Sequence, residues 1–137
     1  MTAVEWQTVD EAGVRLAECA ACRSYMRAPD DASLVVEACF AVPTNLALLY
    51  SSNLTPRFFD VSSREAGEIL QKWRNYRLRA AVVIEHGAPR PSRRFHELLA
   101  AERRDGSFDV FDDRTTAIAW LAPGLRVADS AGADPHD

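Results

Sequence analysis

Asn45-Leu-Ala-Leu-Leu-Tyr50 and Ala80-Ala-Val-Val-Ile84 are two short unbroken apolar runs, and between them Ser62 to Tyr76 carries apolar residues at helical spacing. Apolar runs this short, bounded by turn residues, read as strands buried on both faces, and a helix between two of them makes a βαβ unit. Ala66, Ile69, Leu70, Trp73 and Tyr76 form the stripe that should face the sheet. Ser62 with Glu65 three residues on matches a capping box, in which each side chain satisfies the other's backbone N–H. Glu68 and Lys72 stand four apart as a favourable surface pair, and Arg74, Arg77 and Arg79 complement the negative end of the helix.

The remaining elements fall into place on either side. Residues 3–18 read as a β-hairpin, with Val4 and Trp6 alternating with polar neighbours and Asp10-Glu-Ala-Gly13 as the turn. Residues 20–29 carry no period. Asp30 or Asp31 should cap a helix to about Ala41, with Leu34, Val35, Ala38, Cys39 and Val42 on its inner face and Pro43 ending it. Thr55-Pro56 starts a short turn that carries Phe58 and Phe59 inward. After Ile84 a Gly/Pro loop leads to a helix from Pro91 or Ser92 to about Arg104, with Phe95, Leu98 and Leu99 inward and Asp105-Gly106 as its stop. Phe108-Asp-Val-Phe111 alternates and suits a strand near an edge, and Asp113 caps a last helix that buries Ala117, Ile118 and Leu121, with Trp120 beside them. The order predicts a single α/β domain over residues 1–122: a mostly parallel sheet, extended by the N-terminal hairpin and covered by helices. Residues 123–137 hold too few apolar side chains to order themselves and read as a tail.

At 137 residues the chain is long enough for one real core. A net charge of −4 argues against a nucleic-acid binder, which is usually basic. No apolar run approaches the ~20 residues of a membrane helix, and the N-terminus lacks the basic and apolar regions of a signal peptide, so a cytoplasmic protein is expected. Lys72 is the one lysine among 16 basic residues, a bias that reads as coding composition before chemistry. Cys19, Cys22 and Cys39 are an odd set, which suits a reduced compartment. Cys19-Ala-Ala-Cys22 has the spacing of half a zinc site or a redox pair, yet no second pair follows and no periodic helix opens after it, so neither metal nor cofactor is expected.

Residues 53–121 resemble a bacterial family known only as domain-of-unknown-function family 4180. The resemblance rests on Asn53-Leu54, Phe58-Phe-Asp60, Ala66-Gly-Glu-Ile-Leu-Gln-Lys72, Asn75-Tyr-Arg77 and Ala117-Ile-Ala-Trp-Leu121. Where members tend to carry a His-Glu pair before Asn-Leu, this chain reads Tyr50-Ser51-Ser52. More widely, the layout resembles STAS domains, the fold of anti-sigma factor antagonists. Phe59-Asp60-Val-Ser62-Ser63 stands where those carry an Asp-Ser-Ser-Gly-type turn, with Val61 extra and Arg64 in place of glycine. That resemblance implies a regulatory module whose turn serine is phosphorylated by a kinase-like partner.

Three constellations follow. Asp60, Ser62 and Ser63 form a candidate switch turn, because a phosphate at a helix N-terminus meets exposed N–H groups. The loops at the carboxyl ends of the parallel strands, where open α/β sheets hold ligands, gather Ser51, Ser52 and Asn53, then Glu85 and His86, then Asp112 and Asp113. No nucleophile elbow or Gly-rich loop accompanies them, so no catalytic residue is assigned. Arg90, Arg93, Arg94, Arg103 and Arg104 sit among Glu97, Glu102 and Asp105 and read as a mixed solvated face. The leading expectation is a non-enzymatic module that binds another protein through Asn53–Arg64. The alternative is a small-molecule-binding protein or enzyme using the strand-end loops. A homodimer subunit would instead show an apolar surface patch.

Overall fold

The computed structural model describes residues 6–11, 13–21 and 23–122. The expected tail and Cys22 lie outside them. Five strands form one sheet in the order of the chain: β1 (Trp6–Glu11), β2 (Val14–Cys19), β3 (Leu46–Tyr50), β4 (Arg79–Val83) and β5 (Phe108–Phe111). β1 and β2 pair antiparallel as the expected hairpin, with Gly13 at φ 85° in the turn, and all later pairings are parallel. β5 is an edge strand, as its alternation suggested.

The pleat sends alternate side chains to two cores. Ala17, Cys19, Ala47, Leu49, Ala80 and Val82 face α1 (Ala32–Ala41), α2 (Glu65–Asn75) and α3 (Arg93–Leu98). Leu16, Leu48, Tyr50, Ala81 and Val83 face α5 (Arg114–Leu121), the one helix on the opposite side among the described residues. Within the larger core, the Trp73 indole N–H of α2 donates to the Ala32 carbonyl of α1 at 3.1 Å. Phe58 is fully buried, with its ring 5.1–6.0 Å from those of Phe59, Phe95 and Phe108.

Several details differ from the sequence reading. In α1 the buried residues are Ala32, Val35, Val36 and Cys39, while Leu34, Ala38 and Val42 are half-buried. This helix is apolar nearly all round, so periodicity cannot fix which stripe turns inward. Asp31 does not cap it from the front. Its carboxylate reaches back to the N–H groups of Arg27 and Ala28, and a 3₁₀ turn over Pro29–Asp31 leads in. The Ser62–Glu65 capping box is not formed either, because a 3₁₀ turn at Val61–Ser63 precedes α2 and Arg64 enters it at φ 64°. Lys72 donates to Ser33 Oγ at 3.1 Å.

Further differences concern the surface. Tyr76, expected inside, is 51% exposed, because α2 ends at Asn75 and the chain turns outward. Its ring meets that of Phe40, 62% exposed, edge-on at 6.1 Å. Leu98 is also exposed, since the expected helix of residues 92–104 breaks at Leu99 into α3 and α4 (Ala100–Asp105) and only Phe95 and Leu99 are buried.

Phe58→Ala should lower the unfolding free energy by about 3–5 kcal/mol, the range for emptying a close-packed aromatic site. Phe59→Ala, at a half-buried ring, should cost clearly less. Urea denaturation followed by tryptophan fluorescence gives both numbers.

Candidate functional site

The polar residues at the carboxyl ends of the strands are built into three assemblies. The first is a clasp between the turn after β3 and the end of β4. Ser51 Oγ donates to Glu85 Oε1 at 3.0 Å and accepts from the Glu85 N–H at 3.1 Å. The Ser52 N–H reaches Glu85 Oε1 at 2.8 Å and its hydroxyl reaches Oε2 at 3.1 Å. Of the expected ligand residues, then, Ser51, Ser52 and Glu85 do meet, and they hold one another. His86 is exposed in the loop beyond.

The second assembly is Asn53, which is fully buried. Its Oδ1 accepts from the Tyr50 N–H at 2.7 Å, and its amide nitrogen donates to the carbonyls of Ala20 and Arg23, both at 2.8 Å. Its own carbonyl accepts from the Met26 N–H at 2.8 Å. Asn53 stitches the irregular segment after β2 to the end of β3. Leu54 and Thr55 are buried with it, so this part of the expected docking surface faces inward.

The third assembly was not anticipated. Glu18 on β2 is 7% exposed and lies on the α5 face. Arg114, the first residue of α5, grips it with a fork: Nε to Oε2 at 3.0 Å and Nη2 to Oε1 at 2.9 Å. The Tyr50 hydroxyl donates to Oε2 at 2.5 Å. Burial pushes the Glu18 carboxyl up, but the hydrogen bonds from Arg114 and Tyr50 and the arginine charge outweigh it, and its pKa ends lowered. Burial and the neighbouring carboxylate push the Tyr50 phenol up. An ionised carboxylate locked in a guanidinium fork and a phenol harder to ionise than usual make a structural clamp, not an acid–base pair. A signal was present in the sequence: Glu18 shares the parity of Leu16 in a strand, which places a carboxylate on a buried face and calls for a partner.

The switch turn is different. Asp60 Oδ1 accepts from the Ser62 N–H at 3.0 Å and from its hydroxyl at 2.6 Å, and these bonds hold the Asp60 carboxyl below its usual range. The Ser63 hydroxyl donates to the Arg57 and Asp60 carbonyls and accepts from the Glu65 N–H. Ser63 is therefore part of the frame of α2, whereas Asp60 and Ser62 are exposed.

A cavity of about 340 Å³ opens at the carboxyl ends of β4 and β5. Its place follows from topology. The chain leaves β4 toward α3 on one face and leaves β5 toward α5 on the other. Where neighbouring parallel strands send their connections to opposite faces the loops part, and that gap is where open α/β sheets hold ligands. Ile84, Val110 and Phe111 line it together with Arg90 and His96 from the β4 side and Asp112 and Asp113 from the β5 side. Among the expected strand-end residues, Asp112 and Asp113 line this cavity, whereas Ser51, Ser52, Asn53, Glu85 and His86 do not.

Cys19 and Cys39 are buried, and burial pushes the Cys39 thiol up to about 12, so it is unreactive near neutral pH. Among the described residues no helix is long and apolar enough to cross a membrane.

Residues 11–121 match the family described as a domain of unknown function, DUF4180. The chain belongs to that family. The match runs from the end of β1 to the end of α5 and so takes in the clamp, the clasp and the cavity of this DUF4180 member. No curated protein and no solved structure matches the chain.

Arg114→Ala should lower stability by about 2–3 kcal/mol, somewhat less than the loss of one partner from a fully buried pair, because the arginine is itself partly exposed. The pH dependence has a definite sign. A carboxyl whose pKa is lowered on folding contributes its stabilisation in full above its ordinary value of 4.5 and loses it as the pH falls through the folded value. Stability measured by denaturation at successive pH values should therefore fall on the acid side of 4.5 in the wild type. The fall should be shallower in Glu18→Gln.

Proposed function

We propose that this protein is a non-enzymatic regulatory module of STAS-like layout that binds another protein and is switched at Ser62. One observation carries the reading: the Ser62 hydroxyl is exposed at the entrance of α2, in a turn held together by its own bonds to Asp60. Phosphorylation would replace that hydroxyl's donor with an anion beside the Asp60 carboxylate. The two negative groups cannot share the present turn, so Asp60 would be expelled and the surface presented to a partner would change. Arg57, already 3.5 Å from Asp60, and the exposed Arg64 are the cations nearest in sequence to receive the phosphate. Ser63 is the weaker candidate, because its hydroxyl supports α2 directly.

Two further features favour binding over catalysis. The Ser51 and Ser52 hydroxyls are both engaged with the Glu85 carboxylate, which also takes the Ser52 N–H, so the three groups hold one another as a structural clasp. The Phe40–Tyr76 pair puts two large apolar rings on the surface, the kind of area a protein partner covers.

The test is purification of the tagged chain from its own host, as wild type, Ser62→Ala and Ser62→Asp, with intact-mass and phosphosite analysis. A partner should co-elute in stoichiometric amount, and its affinity for Ser62→Asp should differ from that for Ser62→Ala by about tenfold or more, about 1.4 kcal/mol. Equal binding by both variants would overturn the switch. A clean preparation without a partner would overturn the module.

A further inference from the structure

The crevice between the β4 and β5 ends is charged in a divided way. On the wall formed by the β4–α3 connection and α3 stand the Arg90 guanidinium and the His96 ring. Arg103 Nη2 lies 2.8 Å from His96 Nδ1, and a guanidinium can only donate, so Nδ1 accepts and the neutral ring carries its hydrogen on Nε2. This wall therefore offers a cation and a donor N–H. On the opposite wall stand the Asp112 and Asp113 carboxylates, from the connection between β5 and α5. Between the walls the floor is apolar: Ile84 at the end of β4, with Val110 and Phe111 from β5.

This division excludes several ligand classes. A phosphate or other simple anion would want the amino end of α5, but Asp113 Oδ1 already caps the Thr116 N–H at 2.8 Å and contributes its own negative charge there. A simple cation would face Arg90. A volume of about 340 Å³ lies at the low end of the ~300–1,000 Å³ found for ligand pockets, too small for a nucleotide or a folded peptide segment. What matches is a small molecule that carries both charges on an apolar body.

We propose that the crevice binds a small zwitterion with the chemistry of a free apolar α-amino acid. Its carboxylate meets Arg90 and His96, its ammonium meets Asp112 and Asp113, and its side chain rests on Ile84, Val110 and Phe111. Arg90 and Asp112 now pair with each other across the mouth at 2.6 Å, both side chains largely exposed. An ion pair that open to water contributes little, so a ligand able to give each partner a new counter-charge can part them. The site uses none of the residues of the Ser62 turn and stands or falls independently of it.

The test is a titration of the full ¹⁵N-labelled chain, followed by backbone amide shifts, with four probes. L-leucine carries both charges and an apolar body. Isoamylamine lacks the carboxylate, 4-methylpentanoate lacks the ammonium, and glycine lacks the body. L-leucine should shift the amides of residues 110–116 and 90–96 saturably, and each of the other three should bind about tenfold more weakly or worse, as expected for losing one charged or apolar contact. Arg90→Gln should abolish the preference for leucine over isoamylamine. Asp112→Asn should abolish the preference over 4-methylpentanoate. Both positions are exposed, so both variants should keep a dispersed spectrum. No saturable shift with L-leucine, shifts centred elsewhere, or half-analogues binding as well as the amino acid would each overturn the proposal.

Discussion

The fold depends on holding one short helix to a sheet face that no other element covers among the described residues. Successive parallel strands laid side by side in chain order send α1, α2 and α3 to the same face, as crossovers of one hand require. The other face, with Leu16, Leu48, Ala81 and Val83, is left to the eight residues of α5. A helix that short has little stability of its own. It is fastened at both ends by arginine. Arg114 at its start grips the buried Glu18 of β2, and Arg79 of β4 reaches the Trp120 carbonyl near its end. Arg79 also donates to the Gly106 carbonyl and lies 3.9 Å over the Trp120 ring. Glu18 is thus the cost of covering the second face, a charge buried where only a fixed fork can compensate it.

The same arrangement opens the crevice. Because α5 crosses to the far face immediately after β5, its connection diverges from that of β4, and a gap opens beyond Ile84 and Phe111, where the Ile84 N–H still donates to the Phe111 carbonyl at 2.8 Å. The cavity is a consequence of topology before it is a property of any side chain. Arg90 and Asp112 at its mouth are largely exposed, unlike Asn53 or Glu85, whose bonds hold neighbouring strands in place.

What the sequence discloses divides along the same line. β3, α2, β4 and the terminal hairpin were legible because periodicity and apolar runs report which face is buried, a local property. The inward stripe of α1 was not, since Ser33 and Glu37 are its only polar residues and leave several apolar stripes that could face the sheet. The Ser62–Glu65 spacing was correct for a capping box, but Asp60, two residues earlier, competes for the same serine and shifts the start of α2. Of the strand-end candidates, Ser51, Ser52 and Glu85 meet, whereas His86, Asp112 and Asp113 do not join them. The engagement of the two serines with Glu85 depends on distances no spacing encodes. The pairing of Glu18 with Arg114 joins residues 96 positions apart, so the sequence shows the need for a partner at Glu18 without showing which.

Arginine usage shows how composition and chemistry separate once structure is known. With Lys72 as the one lysine, arginine at any given position carries little information by itself. Most arginines here, such as Arg64, Arg77, Arg93 and Arg94, are exposed, and a lysine would solvate those positions equally well. Arg114 and Arg79 are different. Arg114 uses two nitrogens of one planar group on two oxygens of one carboxylate, and Arg79 divides its donors between two carbonyls while its plane covers an indole. A lysine, a single point donor on a flexible stem, can do neither. The bias toward arginine supplies the residue everywhere; only at the two ends of α5 does its geometry decide whether the second face of the sheet stays covered.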